Sequence, residues 1–362
     1  MEILAPAPDA SVAGDSVRLT VKIKDNGGGI GSVAIYLNGA QVANESRGVT
    51  VKGEAAADER LFTFRVPLVA GDNEIRVTAV NRDSSMESTP AQIKVTSRAV
   101  VRKPNLYALV VGINTYRNKS ISLAYAVSDA TAVAATLKKS AGQLFDKTDI
   151  RLLTTPAATS KEAIVRAFDE LRSRVGPNDL FVFYDASHGI VDVVDNEEQY
   201  YLITSNVLFL SSRHVGKEGL SQKELARLIG SIPAQKKLVI LDTCNAGKGG
   251  TGIQAELLRQ TRGLTESTAV KLLQRSIGSA VFSASSDTQQ ALEGYNGHGL
   301  FTYVLLEGLK GKADVRKDGY VTVLGLADYV EEEVVKLSEE IFRRQQIPTI
   351  QTGANFPIAK VR

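Results

Sequence analysis

The stretch Lys237-Leu238-Val239-Ile240-Leu241-Asp242-Thr243-Cys244-Asn245-Ala246-Gly247 decides how this chain is read. Leu238 to Leu241 is a short, continuously apolar strand, and a polar, glycine-containing turn is expected directly after it. A strand without polar alternation belongs to a sheet covered on both faces. In such α/β sheets, sites form outside the carboxyl ends of the strands. Cys244, the only cysteine in 362 residues, falls at such an end. A second strand, Asp179-Leu180-Phe181-Val182-Phe183-Tyr184, ends in the same way and runs into Ser187-His188-Gly189. One thiol and one imidazole therefore each follow a buried strand, and together they can make a thiolate nucleophile and its base.

Each residue also has a plainer reading. A lone cysteine is usually a small buried hydrophobe, but polar Asp242, Thr243 and Asn245 surround this one. The chain has three histidines, His188, His214 and His298. His214 sits in the polar run Ser211-Ser212-Arg213-His214 and reads as surface loop. His298, in Gly297-His298-Gly299, lies nearly as far after the cysteine as His188 lies before it, so spacing does not choose between them. Context favours His188, which follows a buried strand, whereas His298 precedes an amphipathic helix.

Outward from these strands the pattern alternates. Strands are predicted at 106–112, 149–153, 179–185, 237–242 and 279–285, and helices at 127–140, 160–174, 221–230, 300–310 and 324–336. This order predicts a mostly parallel sheet with helices on both faces. The segment 247–277 breaks it, being long, rich in Gly, Thr and Arg, and only partly helical. Long insertions of this kind are functional loops or disordered. Residues 1–97 read differently. Val17 to Ile23, Leu61 to Val66 and Glu74 to Val80 alternate apolar and polar residues, as half-buried strands do. Asn38-Gly39 closes another strand with a strong hairpin signal. An all-β sandwich is expected there, joined by a linker at 98–104 to the α/β part at 105–362.

Composition excludes several classes. The chain is 43% hydrophobic and 23% charged, as soluble globular proteins are. A net charge of +3, with Lys and Arg scattered, gives no case for nucleic acid. One cysteine rules out an internal disulfide and cysteine-built zinc or iron–sulfur sites. The longest apolar run, Leu106 to Ile113, is too short to span a membrane. No signal peptide follows Met1, which points to a cytoplasmic protein. Strand-like sequence begins almost at once, so further domains upstream in the natural chain are allowed for.

The motifs together resemble a known family, the caspase-like cysteine peptidases, in particular their metacaspase and bacterial orthocaspase branch. The matching pieces are Tyr107 to Asn114, Val127-Ser128-Asp129-Ala130, Phe181 to Gly189, Leu241 to Gly247, Gln290 to Glu293 and Gly297 to Thr302. The N-terminal part resembles bacterial immunoglobulin-like domains through Asn38-Gly39 and Ala70 to Ile75. The resemblance implies a six-stranded, mostly parallel sheet between helices, with His188 as catalytic histidine and Cys244 as nucleophile. The N–H groups of Gly189 and Cys244 would form the oxyanion hole. It also implies a pocket for the residue before the scissile bond, lined by Asp129 and Asp242. Two carboxylates select a cation, and Arg best of all, because its planar fork pairs with them bidentately. The bland alternative for Asp129 is a favourable charge at a helix start. Two departures from the family pattern stand out: Asp185, where an apolar or small residue is usual, and Ser187, where Gly is usual.

Two weaker motifs remain. Gly247-Lys248-Gly249-Gly250-Thr251-Gly252 fits the dinucleotide pattern, but its first glycine comes late after the strand and no acidic partner follows a strand at the required distance. The acidic run Asp192, Asp195, Glu197 and Glu198 fits no calcium loop. A solvated loop is expected there, and calcium is the one ion the resemblance brings into view. No metal or cofactor is otherwise expected. The reading is a cysteine endopeptidase acting on protein or peptide substrates after Arg or Lys. Self-cleavage is expected in 248–277, at Arg259, Arg262, Lys271 or Arg275. The competing class is a catalytically weak caspase-like scaffold that recruits partners.

Overall fold

The structure is a computed structural model that describes residues 1–44, 58–82, 85–141, 144–194, 197–245, 270–271, 273–274, 280–284 and 291–361. The chain divides into two compact units. One comprises Met1–Lys103 with Arg174–Asp179 and Ile229–Lys236, and the other Pro104–Ser173, Leu180–Leu228 and Lys237–Arg362.

The N-terminal strands are β1 (Glu2–Ala5), β2 (Ala10–Val12), β3 (Ser16–Lys24), β4 (Ile30–Leu37), β5 (Ala40–Asn44), β6 (Glu59–Pro67), β7 (Gly71–Asn81) and β8 (Ala91–Ser97). They form two sheets, ordered β1-β3-β6 and β2-β8-β7-β4-β5. The alternation read from the sequence is the burial pattern observed. Val17, Leu19, Val21 and Ile23 of β3 face inward, with Phe62, Phe64 and Val66 of β6. Val33, Ile35 and Leu37 of β4 and Ile75 and Val77 of β7 belong to the same core. Asn38 and Gly39 both have positive φ, 51° and 86°, as the two-residue turn joining β4 and β5 requires.

The second unit contains β9 (Leu106–Gly112), α1 (Ala126–Ala141), β10 (Thr148–Leu153), α2 (Lys161–Arg172) and β11 (Leu180–Val194). There follow β12 (Glu197–Ile203), α3 (Ser212–Glu218), β13 (Leu220–Ser221), α4 (Gln222–Gly230), β14 (Lys236–Asn245) and β15 (Ala280–Ser283). The chain closes with β16 (Glu293–Tyr295), β17 (His298–Gly299), α5 (Leu300–Glu307), β18 (Tyr320–Thr322), α6 (Val323–Phe342), β19 (Thr349–Gln351) and β20 (Pro357–Lys360). The main sheet runs β10-β9-β11-β14-β15-β19, with β12 and β13 branching from β11. β10 and β11 lie parallel to β9, and β15 parallel to β14, whereas β12 and β19 are antiparallel to their neighbours. The sheet is therefore mixed and counts eight strands, six of them on the main path and β12 and β13 off it.

The two added strands have a local cause. β11 does not stop near residue 185 but continues to Val194, pairing His188 to Val194 with Ile203 to Glu197 of β12. β14 likewise continues through the polar residues to Asn245 instead of turning after Leu241. At the β11 end, backbone pairing overrides side-chain polarity. Asp192, expected in a solvated loop, is a buried β11 residue whose Oδ1 accepts from Ser212 Oγ at 3.0 Å. His214 lies in helix α3 rather than a loop, with Nδ1 2.9 Å from Ser211 Oγ.

The core explains the near-continuous apolar strands. Leu180, Val182, Tyr184 and Ala186 of β11 pack with Leu238 and Ile240 of β14 beneath α1, α5 and α6. On the other face Phe181 and Phe183 meet Phe168 of α2 at centroid distances of 6.0 and 5.3 Å. Each such side chain contributes about 1.5–3 kcal/mol when fully buried. Gly112 lets α1 approach β9 closely, because a Cβ there would stand 2.4 Å from the Ala126 carbonyl oxygen and 2.6 Å from the Ala130 Cβ.

Candidate active site

His188 is held from three directions. Its backbone pairs with Ile203, its N–H donates to Tyr116 Oη at 3.1 Å, and its ring lies 5.3 Å from the Tyr116 ring. Nε2 is 2.7 Å from the Ile121 carbonyl oxygen. A carbonyl can only accept, so in the neutral imidazole Nε2 carries the proton. That leaves the lone pair, and hence the basic function, on Nδ1. The Ile121 carbonyl is aimed by a short turn, Lys119–Ile121, capped by Asn118, whose Oδ1 accepts from the Ser120 N–H at 3.1 Å. A backbone oxygen thus orients the histidine. No side-chain motif in the sequence reports such a group.

Gly189 and Thr243 meet at a single hydroxyl. Tyr200 Oη of β12 donates to Thr243 Oγ1 at 2.7 Å, and a Cβ at position 189 would lie 2.0 Å from the same oxygen. Only glycine fits. The contact sets His188-Gly189 of β11 beside Thr243-Cys244 of β14, the adjacent strand. Cys244 takes the β14 position two beyond Asp242. Its side chain lies outside the described residues.

Acidic groups converge on a small cleft at the same edge of the sheet. Asp129, Asp242, Glu293, Ser187 and Gly299 are among its lining residues. Asp129, in the first turn of α1, directs its carboxylate to another element rather than to its own helix. Oδ1 is 2.6 Å from His298 Nδ1, and Oδ2 accepts the Gly299 N–H at 3.1 Å. Asp242 Oδ2 accepts from Thr302 Oγ1 at 2.5 Å, and the same hydroxyl lies 2.6 Å from Tyr184 Oη. A Cβ at Gly299 would stand 3.2 Å from Asp129 Oδ2 and 3.4 Å from Asp242 Oδ2, so both carboxylates close on one point. Asp129 owes its position to Asn114, which fixes the start of α1 by accepting the Val127 N–H on Oδ1 at 2.9 Å.

The electrostatics follow from burial. Desolvation pushes Asp129 up to about 7, with Glu293 adding to the rise against the opposing Gly299 N–H. Desolvation and the Asp129 charge push Asp242 up to about 7 as well. Asp185, fully enclosed, rises to about 7 by burial and by Asp242, although Ser187 Oγ donates to it at 2.5 Å. A site that places several carboxylates together out of water is short of positive charge, and a cationic group entering it would relieve that shortage.

The structure thus brings Asp129 and Asp242 to one cleft and sets His188-Gly189 beside the Cys244 backbone. Sequence reasoning missed Glu293, Tyr116, Ile121, Tyr200 and Thr302, and it missed the contact of His298 with Asp129. Gly297 to Thr302 was a recognisable motif, but only the fold folds it back onto α1. Of the expected self-cleavage positions, Arg259, Arg262 and Arg275 lie outside the described residues, as does the glycine-rich run 247–252. Lys271 is exposed on helical backbone between buried Val270 and Leu273. Among the described residues no group of His, Cys, Asp and Glu is arranged to hold a metal ion, and no helix is long and apolar enough to cross a membrane.

Comparison with known proteins places these features. A family model of the caspase domain matches residues 105–356, and one of the bacterial Ig domain matches residues 1–60. A search of curated proteins found no match. Among solved structures, a structural-genomics protein of Geobacter sulfurreducens aligns over 70% of this chain and 93% of its own, at 17% identity and a TM-score of 0.46. Caspase-1 from Spodoptera frugiperda aligns over 71% and 91%, at 14% identity and a TM-score of 0.41.

Proposed function

The chain belongs to the caspase domain family, and from that premise we propose that it is a cysteine endopeptidase cleaving after Arg or Lys. The observation that carries the specificity is the convergence of Asp129 and Asp242, with Glu293, on one cleft near His188. A guanidinium entering there would bridge two carboxylates with its planar fork, which an ammonium does less completely. An aspartate would meet like charges instead.

The proposed chemistry uses the tautomer that Ile121 imposes. His188 Nδ1 takes the proton from the Cys244 thiol, and the thiolate attacks the carbonyl carbon of the basic residue. The N–H groups of Gly189 and Cys244 receive the negative oxygen, each such donor typically contributing about 10²–10³ in rate. The imidazolium returns its proton to the departing amine, and water hydrolyses the thioester with His188 again as base. Ser187, whose hydroxyl is committed to Asp185, lines the cleft without taking part in the proton transfers.

The test is a set of otherwise identical peptides with Arg, Lys or Asp before the scissile bond. Arg and Lys peptides are expected to be cut, the Asp peptide left intact, and Cys244→Ala to be silent on all three. Equal turnover of Arg and Asp peptides would remove the specificity assignment. Turnover by Cys244→Ala at the wild-type rate would remove the nucleophile. Self-cleavage within 248–277, at Arg259, Arg262, Lys271 or Arg275, belongs to the same proposal; at Lys271 the helical backbone must unwind before a peptidase can bind it.

A further inference from the structure

His298, an ionisable group in contact with the cleft residue Asp129, is not used by the peptidase reading. It lies in the β16–β17 hairpin, paired with Tyr295 across it. Positive φ at Gly294, Asn296 and Gly297 turns this hairpin tightly. Ser128 Oγ donates to the Gly297 carbonyl at 3.2 Å, tying the hairpin to α1 beside Asp129. The imidazole is therefore built onto the carboxylate, with Nδ1 2.6 Å from Asp129 Oδ1 and the next residue's N–H on Oδ2. It is a quarter exposed, so solvent and an incoming ligand both reach it.

We infer that His298 is a specificity-determining residue that occupies the edge of Asp129 a basic side chain would take, so that such a side chain enters only after the Asp129–His298 pair has released its shared proton. The inference rests on the reading that Asp129 and Asp242 receive a cation. With one proton between them, the pair carries no net charge, whether the proton sits on Oδ1 or on Nδ1. Without it, the pair is a carboxylate and a neutral imidazole, with a net negative charge. Only the second state offers full attraction to a guanidinium, and binding therefore expels one proton.

The surroundings set where this happens. The groups that act on the pair are Glu293 on β16, Asp242 on β14, Tyr184 on β11 and Lys310 in the helical segment Gly308–Lys312, and Tyr295 lies across the hairpin from His298. Burial holds Asp129 near 7 and Glu293 raises it, while burial and Lys310 hold His298 below its usual value. Both shifts favour the uncharged pair at low pH. The sign follows: affinity for a cation strengthens as pH rises through the region near 7 and levels off above it. A neutral hydrogen-bonding residue at 298 offers the proton no second seat. An amide is also a weaker acceptor than the ring nitrogen 2.6 Å from Oδ1, so protonated Asp129 loses its best partner and its acid limb moves to lower pH than in the parent.

Benzamidine binding to Cys244→Ala protein, measured by calorimetry from pH 5.5 to 9 in buffers of different ionisation enthalpy, tests this without any cleavage step. The parent is expected to weaken at least about tenfold per pH unit below its midpoint and to release at least one proton per ligand there. In His298→Asn the limb is expected at lower pH, with binding severalfold tighter than the parent at pH 6 and equal at pH 8.5. His298→Gln is expected to behave alike and covers a folding defect of the first variant. Superimposable limbs in parent and variant would overturn the inference while leaving the acidic pocket standing. Loss of binding at every pH in both variants would overturn it as well, making His298 a mere support. No benzamidine binding by the parent at any pH would take down the pocket reading itself, and the inference with it.

Discussion

His188 shows how a single residue acquires a role from what surrounds it. The Ile121 carbonyl fixes its tautomer, Tyr116 holds its backbone and ring, and the lone pair is left on Nδ1, where the proposed chemistry needs it. His188→Ala is expected to lower kcat/KM for an Arg peptide by at least about 10³, as loss of a general base does, with the fold retained by circular dichroism. Gly189→Ala is expected to be nearly as damaging and also to destabilise by about 1–3 kcal/mol, since its Cβ would collide with Tyr200 Oη. Denaturant unfolding beside a peptide assay measures both. Asp185 makes a pH prediction. Its carboxyl is raised in the fold to about 7 from an ordinary value near 4, so between those values the folded state holds a proton the unfolded chain has lost. Stability therefore falls from this group as pH rises through that window. Asp185→Asn, which still accepts from Ser187, is expected to be more stable than wild type by on the order of 2 kcal/mol at pH 8 and equal to it at pH 4. Melting curves at the two pH values check this, and a pH-independent difference would contradict the buried charge. The sequence marked His188 and Cys244 by their place after apolar runs, and Asp185 by its departure from the family pattern. It did not mark Ile121 or Tyr116, because one acts through a backbone oxygen and the other from a distant loop.

At the scale of elements, the cleft is assembled from ends: the start of α1, the ends of β11 and β14, and the hairpin before α5. Thr302, in the first turn of α5, is the joint between them, bonded to Asp242 and to Tyr184. Thr302→Val keeps the shape and removes the hydroxyl, leaving two buried polar groups short of a partner. A loss of about 1–3 kcal/mol is expected, with a higher KM for Arg peptides and little change in kcat. A change confined to kcat would place Thr302 in the chemistry instead. The helices and strands were legible from period and length, and their predicted cores agree with β9, β10, α1, α2 and α4. Where β11 and β14 end was not legible. Both continue through polar residues, β11 because β12 pairs with its backbone as far as Val194, and pairing partners are not visible in a local window.

For the whole molecule, the prediction is self-processing. Wild type and Cys244→Ala incubated side by side should differ in intact mass, with fragments divided within 248–277 from the wild type alone. Uncleaved wild type that still turns over an Arg peptide would show that activity needs no processing. What the sequence by itself determined is the division into an all-β part and an α/β part, the family, and the residues to examine. These rest on local signals: alternation in β3 and β6, the Asn38-Gly39 turn, continuous apolar strands, and short motifs in a fixed order. What only the tertiary structure decided is which of those residues touch. Asp129 and His298 stand 169 positions apart in the chain and 2.6 Å apart in space. His298, which sequence context placed behind His188 as the candidate base, meets the acidic cleft at Asp129 for this reason. The β12–β13 branch of the sheet, the burial of Asp192 and the shared contact of Gly189 and Thr243 with Tyr200 are of the same kind. Each depends on long-range pairing of backbone and side chains, and the energy of such contacts belongs to the folded arrangement and to no single segment of the chain.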